Sequence, residues 1–154
     1  MNGGWTAEAA YRLLAEPVYG YLRSIDRVDA DDLFGDVFFA VAARIESFDG
    51  DEVALRSWVF TIAHHRIVDW RRRQQRRKRL PFLRSDHTPP PADPFDPLLI
   101  AALNALTVEQ REVLVLRFVA DLPLEDVAAI TGRTVGAVKS LQHRALAQLS
   151  SRLQ

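Results

Sequence analysis

Apolar residues recur along this chain at the three- and four-residue spacing of amphipathic helices, in several separate stretches. The first covers residues 6–25, and Pro17 inside it is predicted to break or bend the helix. A second helix is predicted from residues 29–32, which supply capping and first-turn acids. A third starts near residues 53–57 and continues, with or without a kink, into the arginine-rich run 71–79. Because no stretch alternates apolar and polar residues for long enough to build a sheet, the pattern predicts an all-α protein.

The composition changes sharply between residues 81 and 97, where six of 17 residues are proline. Such a stretch cannot be helical and is predicted to form an extended, semi-stiff linker. Helical periodicity resumes at residues 98–105, and residues 107–110 have the form of a capped helix start. The chain is therefore predicted to contain two small helical domains, residues 1–80 and 98–154, joined by a linker at 81–97.

The last third of the chain has the pattern of a helix-turn-helix. Residues 123–130 predict a short amphipathic helix opened by proline, Gly132 suits a left-handed turn, and Thr134 is placed to cap the next helix. One face of that next helix is apolar, through Val135, Val138, Ala145 and Leu149. The other face carries donors suited to phosphates and guanine edges, namely Lys139, Ser140, His143 and Arg144. An ordinary helical hairpin with a solvated polar face would show the same pattern.

The charges are balanced over the whole chain but sorted along it. The 20 basic and 20 acidic side chains give a net charge of zero, which predicts weak non-specific affinity for DNA. Residues 1–57 contain 11 acidic and 5 basic side chains, whereas residues 58–85 contain 9 basic side chains and one acidic one. Neighbouring segments of opposite charge indicate two different partner surfaces. This arrangement fits a protein that meets DNA while attached to something else.

Several classes of site are disfavoured. The chain has no cysteine, so disulfides, thiolate zinc sites and thiol catalysis are excluded. It has no glycine-rich phosphate loop or nucleophile elbow, so we expect no enzyme activity, no catalytic residue and no cofactor. We expect no metal site at His64 and His65, because adjacent helical residues do not face each other. No membrane span or signal segment is found, which predicts a cytoplasmic protein without membrane contact of its own.

Two separated groups of motifs carry a resemblance to a known family. The first group is DDLFGDVF at 31–38, FDG at 48–50 and WVFTIA at 58–63. The second is LTVEQREVL at 106–114 and VGAVKS at 135–140, with Ala128 and Gly132 between them. They resemble, in the right order, the second and fourth conserved regions of the extracytoplasmic-function sigma factors, which have a short linker in place of a folded third domain. Two departures are Gly35, where the family usually has glutamine, and Leu141-Gln142, where it usually has Arg-Leu.

The resemblance implies a sigma factor that binds core RNA polymerase and directs initiation at −10 and −35 promoter elements. It implies polymerase contacts, with the clamp helices and the flap as the docking surfaces, at Asp32, Leu33, Asp36, Phe39 and Arg44. It implies −10 contacts at Arg56, Phe60, His64, His65, Arg66, Trp70, Arg71 and Arg72. It implies −35 contacts at Thr134, Gly136, Lys139, Ser140, His143 and Arg144, with the exact set open because of Leu141-Gln142. An anti-sigma partner is a further expectation.

Alternatives remain for several of these residues. The acidic face bearing Asp32 and Asp36 could be merely solvated. Trp58 and Trp70 could both be core anchors, and this is the expected role for Trp58 because it shares an apolar face with Ile62. His65 stands where the family commonly has asparagine, beside a pocket for a flipped −10 base, or it caps or bends the helix. Gln142 falls near the middle of an apolar stripe and is predicted to be half-exposed or hydrogen-bonded. The alternative function is a free-standing helix-turn-helix regulator that binds operators as a dimer.

Overall fold

The computed structural model describes residues 4–25, 29–79 and 96–153, and within these ranges every regular element is helical. The chain divides into two compact units, residues 1–90 and 91–154. The predicted linker lies outside the described residues except at its end. There Asp96 caps a helix, accepting a 2.9 Å hydrogen bond from the backbone N–H of Leu98, and Pro97 is the first helical residue rather than the last linker residue.

The first unit is built from three long helices, α1 (Ala7–Ile25), α2 (Ala30–Arg44) and α3 (Glu52–Arg79). Helix α1 begins as predicted, with the Thr6 hydroxyl accepting a 3.1 Å hydrogen bond from the N–H of Ala9. Of the break or bend predicted at Pro17, the break is wrong, because α1 is one continuous helix of 19 residues. Leu14 and Val18, on either side of the proline, are fully buried, and this packing offsets the missing hydrogen bond.

A short 3₁₀ turn (Ile45–Ser47) and the segment 48–51 connect α2 to α3. A β-carbon at Gly50 would lie 2.8 Å from Cβ of Ala54, so the turn requires glycine. The carbonyl of Gly50 accepts a 3.0 Å hydrogen bond from the indole N–H of Trp5, and Asp51 Oδ1 caps α3 by accepting from the N–H of Ala54 at 2.9 Å. Helix α3 then continues for 28 residues without interruption.

The second unit contains α4 (Pro97–Asn104), α5 (Val108–Leu114), a π-helical turn (Val115–Val119), α6 (Leu124–Thr131) and α7 (Val135–Leu153). The predicted cap of α5 is confirmed as a capping box, with 3.1 Å hydrogen bonds in both directions between Thr107 and Gln110. Gly132 ends α6 at φ 69°, ψ 29°, which confirms the left-handed turn. No helix in the described part of the chain is long and apolar enough to cross a membrane.

Candidate nucleic-acid interface

Four of the five residues predicted to contact polymerase are exposed on α2. Asp32, Asp36 and Arg44 are exposed, and the side chain of Phe39 is 79% exposed. The fifth prediction is wrong: Leu33 is only 2% exposed, because it lies on the opposite face of α2 and packs into the core. An exposed phenylalanine with charged groups around it has the apolar centre and polar rim of a helix-docking surface.

An aromatic cluster between α1 and α2 was not predicted from the sequence. The ring of Phe38 lies 4.9 Å from Phe34 and 5.2 Å from Tyr11, measured between centroids, and Tyr19 contacts Phe34 edge-on at 5.7 Å. Burial first, then the hydrogen bond and negative charge of Asp31, raise the pKa of Tyr19, so its phenol stays protonated. The i, i+4 spacing of Phe34 and Phe38 was the available signal, but only the tertiary fold places Tyr11 against them.

Phe60 was predicted to contact −10 DNA, and the structure contradicts this. Its side chain is fully buried, and its ring packs at 5.7 Å against the buried ring of Tyr21 from α1. The ring of Phe60 therefore packs inside the protein and is not available to stack on a base. Trp58 is half-buried and stacks on Phe48 at 4.9 Å with an interplanar angle of 24°, consistent with its predicted role as an anchor.

The two adjacent histidines of α3 differ in environment. His64 is half-buried, with its Nδ1 3.3 Å from the hydroxyl of Tyr21, whereas His65 is exposed. Helix α3 is uninterrupted at this point, so His65 does not cap it. Arg56, near the start of the same helix, forms a 3.5 Å ion pair with Glu52. Among the described residues, no group of three or more His, Asp or Glu side chains is arranged to hold a metal ion.

Trp70 is hydrogen-bonded to Asp29, which the sequence analysis assigned to capping α2. Asp29 was predicted to help cap α2, but its carboxylate makes no capping hydrogen bond. Instead Asp29 Oδ2 accepts hydrogen bonds from Trp70 Nε1 at 2.6 Å and from Gln74 Nε2 at 3.3 Å. The residues lie more than 40 positions apart along the chain, so no local pattern could indicate this contact.

Predicted polymerase and DNA residues share one polar groove in the first unit. The groove has a volume of about 260 Å³ and lies between α2 and α3. Its lining combines Asp36 with Arg66 and Arg72, and adds three residues that the sequence analysis did not select, Asp69, Arg73 and Arg76. Arg71 is half-buried, and Arg72, Arg73 and Arg76 are exposed on the described surface. The acidic face of α2 therefore adjoins the basic face of α3.

In the second unit, α7 separates a buried face from an exposed one as predicted. Val138 and Ala145 are fully buried. The Thr134 hydroxyl caps the helix, accepting from the N–H of Ala137 at 3.1 Å. All six predicted −35 contacts are exposed, namely Thr134, Gly136, Lys139, Ser140, His143 and Arg144. Gln142 is half-buried as expected, and its Oε1 is buried with no hydrogen-bond partner in the described part of the chain.

Apolar side chains are also exposed on the second unit, outside the predicted apolar face of α7. Leu98 at the start of α4 is 70% exposed, and Phe118 in the π-helical turn is 56% exposed. The guanidinium of Arg117 lies 5.6 Å from the centroid of the Phe118 ring. The change from α- to π-helical geometry rotates residues after Leu114 away from the positions that α-helical periodicity predicts.

Comparisons with known proteins agree with both units. The family model for sigma-70 region 2 matches residues 7–77, and that for sigma-70 region 4 matches residues 97–149. The ECF RNA polymerase sigma factor ShbA of Streptomyces griseus is 31% identical over 165 residues, covering 93% of this chain and 86% of ShbA. The RNA polymerase sigma factor YlaC of Bacillus subtilis is 27% identical over 158 residues, covering 95% and 91%. The sigma factor RpoE of Bartonella quintana, in its co-crystal structure with the anti-sigma factor NepR, superimposes with a TM-score of 0.77 at 26% identity over 95% of both chains.

Proposed function

This chain belongs to the sigma-70 family, in its extracytoplasmic-function branch, and directs promoter recognition and transcription initiation; from that premise we propose how its residues divide the contacts. Residues 1–80 bind core polymerase and the −10 element. Residues 98–154, together with Pro97 of α4, bind the −35 element. Residues 81–97 were predicted to join the two, and 81–95 lie outside the described residues.

The polymerase contact is assigned to the exposed face of α2. Phe39, with 79% of its side chain exposed, supplies an apolar anchor, and Asp32, Asp36 and Arg44 supply a polar rim. This is the composition expected where a helix docks against other helices, such as the polymerase clamp helices. Burial of Leu33 supports the assignment indirectly, since it fixes which side of α2 faces outward.

The −10 contact is assigned to the surface of α3 that carries the predicted residues, of which His65 and Arg72 are exposed and Arg66, Trp70 and Arg71 are half-buried. His65, Arg66, Trp70, Arg71 and Arg72 combine rings with guanidinium groups, and this mixture suits unpaired bases and single-strand phosphates. His64 and Arg56 are half-buried at the edge of this surface, where each has a partner within the unit. Phe60 is removed from the set because it belongs to the core.

The −35 contact is assigned to α7, and one observation carries the assignment. The helix presents Lys139, Ser140, His143 and Arg144 on one exposed strip, directly after the Gly132 turn, while Val138 and Ala145 are buried on the other side. In a helix-turn-helix, the second helix has this division of faces and enters the DNA major groove as the recognition helix.

The remaining expectations form part of the same proposal. The protein acts in the cytoplasm as a binding subunit of polymerase, without a cofactor and without a catalytic reaction of its own. The structural relative was solved with an anti-sigma factor. We therefore include a polypeptide inhibitor of that class among the partners, along with core polymerase and promoter DNA.

The test is transcription in vitro with added core polymerase on the promoter upstream of the protein's own gene. We expect Lys139→Ala and Arg144→Ala each to weaken recognition of a −35-dependent promoter by roughly 1–3 kcal/mol. Arg152→Ala, which removes an exposed positive charge at the far end of the same helix, is the control and should retain activity. Wild-type transcription by both Lys139→Ala and Arg144→Ala would remove α7 from the recognition role.

A further inference from the structure

Asp29 connects the start of α2 to the side of α3 that carries Trp70 and Gln74, through two side-chain hydrogen bonds. The indole N–H of Trp70 donates to Oδ2 at 2.6 Å, and the amide of Gln74 donates to the same oxygen at 3.3 Å. Hydrogen bonds to a carboxylate are stronger than those between neutral groups. The contact therefore ties the residue before α2 firmly to the middle of the basic stretch of α3.

The Asp29 carboxylate bonds to α3 and does not cap α2. Asp29 occupies the N-cap position of α2, where aspartate ordinarily accepts a hydrogen bond from the first turn of its own helix. In this structure no side-chain cap is formed, and the oxygen lies against α3 instead. The Asp29 carboxylate bonds to Trp70, 41 positions away, and not to the first turn of its own helix. The long-range contact is therefore favoured over the local cap in this structure.

The two donors are spaced to fix one side of α3. Trp70 and Gln74 lie four residues apart, so their side chains project from successive turns on one face. Arg71, Arg72 and Arg73 occupy the positions between them. Holding both donors on one oxygen restricts the rotamers of the indole and the rotation of this segment. A ring that stacks on bases binds better when its orientation is set in advance.

We propose that Asp29 is a positioning residue for promoter melting: it orients Trp70 and Gln74, and through them the neighbouring arginines, without contacting DNA itself. The inference rests on the proposed role of α3 in −10 binding. It predicts that loss of the Asp29 contact lowers open-complex formation and leaves polymerase binding unchanged, since the Asp29 carboxylate is bonded to α3, whereas Asp32, Asp36 and Phe39 are exposed on α2.

The experiment compares holoenzymes reconstituted with Asp29→Ala, Asp29→Asn, and the control Glu16→Ala, which removes an exposed carboxylate from α1. Promoter melting is measured by permanganate reactivity, and polymerase affinity by titration with labelled core enzyme. We expect Asp29→Ala to lower melting about tenfold, the change that corresponds to one lost hydrogen bond to a charged group. Asp29→Asn, which keeps an acceptor oxygen, should recover part of it, and Glu16→Ala should behave as wild type.

A double-mutant cycle distinguishes positioning from general destabilisation. In a Trp70→Phe/Gln74→Ala background both of these donors are absent, so the part of the Asp29→Ala defect that acts through Trp70 and Gln74 should disappear. In the folded free protein, Asp29→Ala should shift the Trp70 indole N–H resonance and leave those of Trp5 and Trp58 in place. This spectroscopic change reports the hydrogen bond itself and does not depend on promoter activity.

The outcomes separate the inference from the proposed function. An equal loss of melting in both backgrounds, or a parallel loss of polymerase affinity, would overturn the positioning role. Unchanged melting by Asp29→Ala while Arg72→Ala is defective would also overturn it, and the −10 assignment of α3 would stand. If Trp70→Phe, Arg72→Ala and Asp29→Ala all melt the promoter normally, the −10 assignment fails as well.

Discussion

Neighbouring residues of the same type have different tasks in α3. His64 is half-buried beside the hydroxyl of Tyr21, at 3.3 Å, whereas His65 is exposed. A neutral imidazole offers one donor and one acceptor, and its ring can stack. Of the two histidines, His65 therefore presents these groups to a ligand outside the protein, and its position on an uninterrupted helix leaves no capping role for it.

We predict that His65→Ala lowers open-complex formation while polymerase binding and −35 binding stay nearly intact. Extruding a base from the duplex costs a few kcal/mol of free energy. Contacts that form only in the open complex must offset this cost. His65→Asn should shift the preference among −10 variants without abolishing activity. Permanganate footprinting on a set of −10 variants measures both, with the exposed Gln75→Ala as control. An unchanged ranking of variants with His65→Asn would place base selection elsewhere.

Gln142 gives a second prediction at this scale, concerning stability. Its Oε1 is buried without a partner among the described residues, and an unsatisfied buried acceptor costs roughly 1–3 kcal/mol. Gln142→Leu should therefore stabilise the second unit by about 1 kcal/mol. Gln148→Leu is the matched control and should destabilise the second unit, because Gln148 Nε2 donates a 3.1 Å hydrogen bond to the carbonyl of Ala105.

The measurement uses the distribution of tryptophans. Trp5, Trp58 and Trp70 all lie in the first unit, so their fluorescence follows that unit, while far-UV circular dichroism follows the helices of both. Gln142→Leu should shift the dichroism transition to higher denaturant and leave the fluorescence transition unmoved. A shift to lower denaturant would show that the Oε1 group is satisfied in solution.

At the scale of elements, the sequence predicts what is encoded locally and misses what is encoded by tertiary contacts. The capping box at Thr107, the cap at Thr134 and the left-handed Gly132 were all predicted, because each involves residues within a few positions. Leu33 and Phe60 were assigned to contact surfaces, although each packs against other helices. The Asp29 contact could not be predicted, since its donors lie 41 and 45 positions away.

Helix α1 shows how packing overrides a local signal. Pro17 removes one backbone hydrogen bond, and a proline inside a helix costs about 3 kcal/mol relative to alanine. Proline also restricts the unfolded chain, which recovers up to about 1 kcal/mol. We therefore predict that Pro17→Ala stabilises the first unit by about 2 kcal/mol, as a shift of the fluorescence transition in urea. Destabilisation instead would mean that the half-buried proline ring contributes packing that exceeds the backbone cost.

At the scale of the whole molecule, charge is sorted so that DNA binding depends on assembly. The chain has a net charge of zero, and its basic side chains are concentrated in residues 58–85 beside an acidic segment at 1–57. In the first unit this contrast is visible in one groove, where Asp36 and Asp69 lie among Arg66, Arg72, Arg73 and Arg76. Carboxylates beside the arginines reduce the local positive potential that DNA would meet on the free protein.

The free protein should therefore bind duplex promoter DNA poorly, and the complex with core polymerase should bind it well. Affinity for duplex scales with the number of phosphates that the protein neutralises, and an overall neutral chain neutralises few. Fluorescence anisotropy with labelled promoter duplex, at physiological salt and with or without core polymerase, measures the difference. A scrambled duplex serves as the control for sequence specificity. Tight, specific binding by the free protein would contradict the division of contacts proposed here and favour a free-standing regulator that binds operators as a dimer.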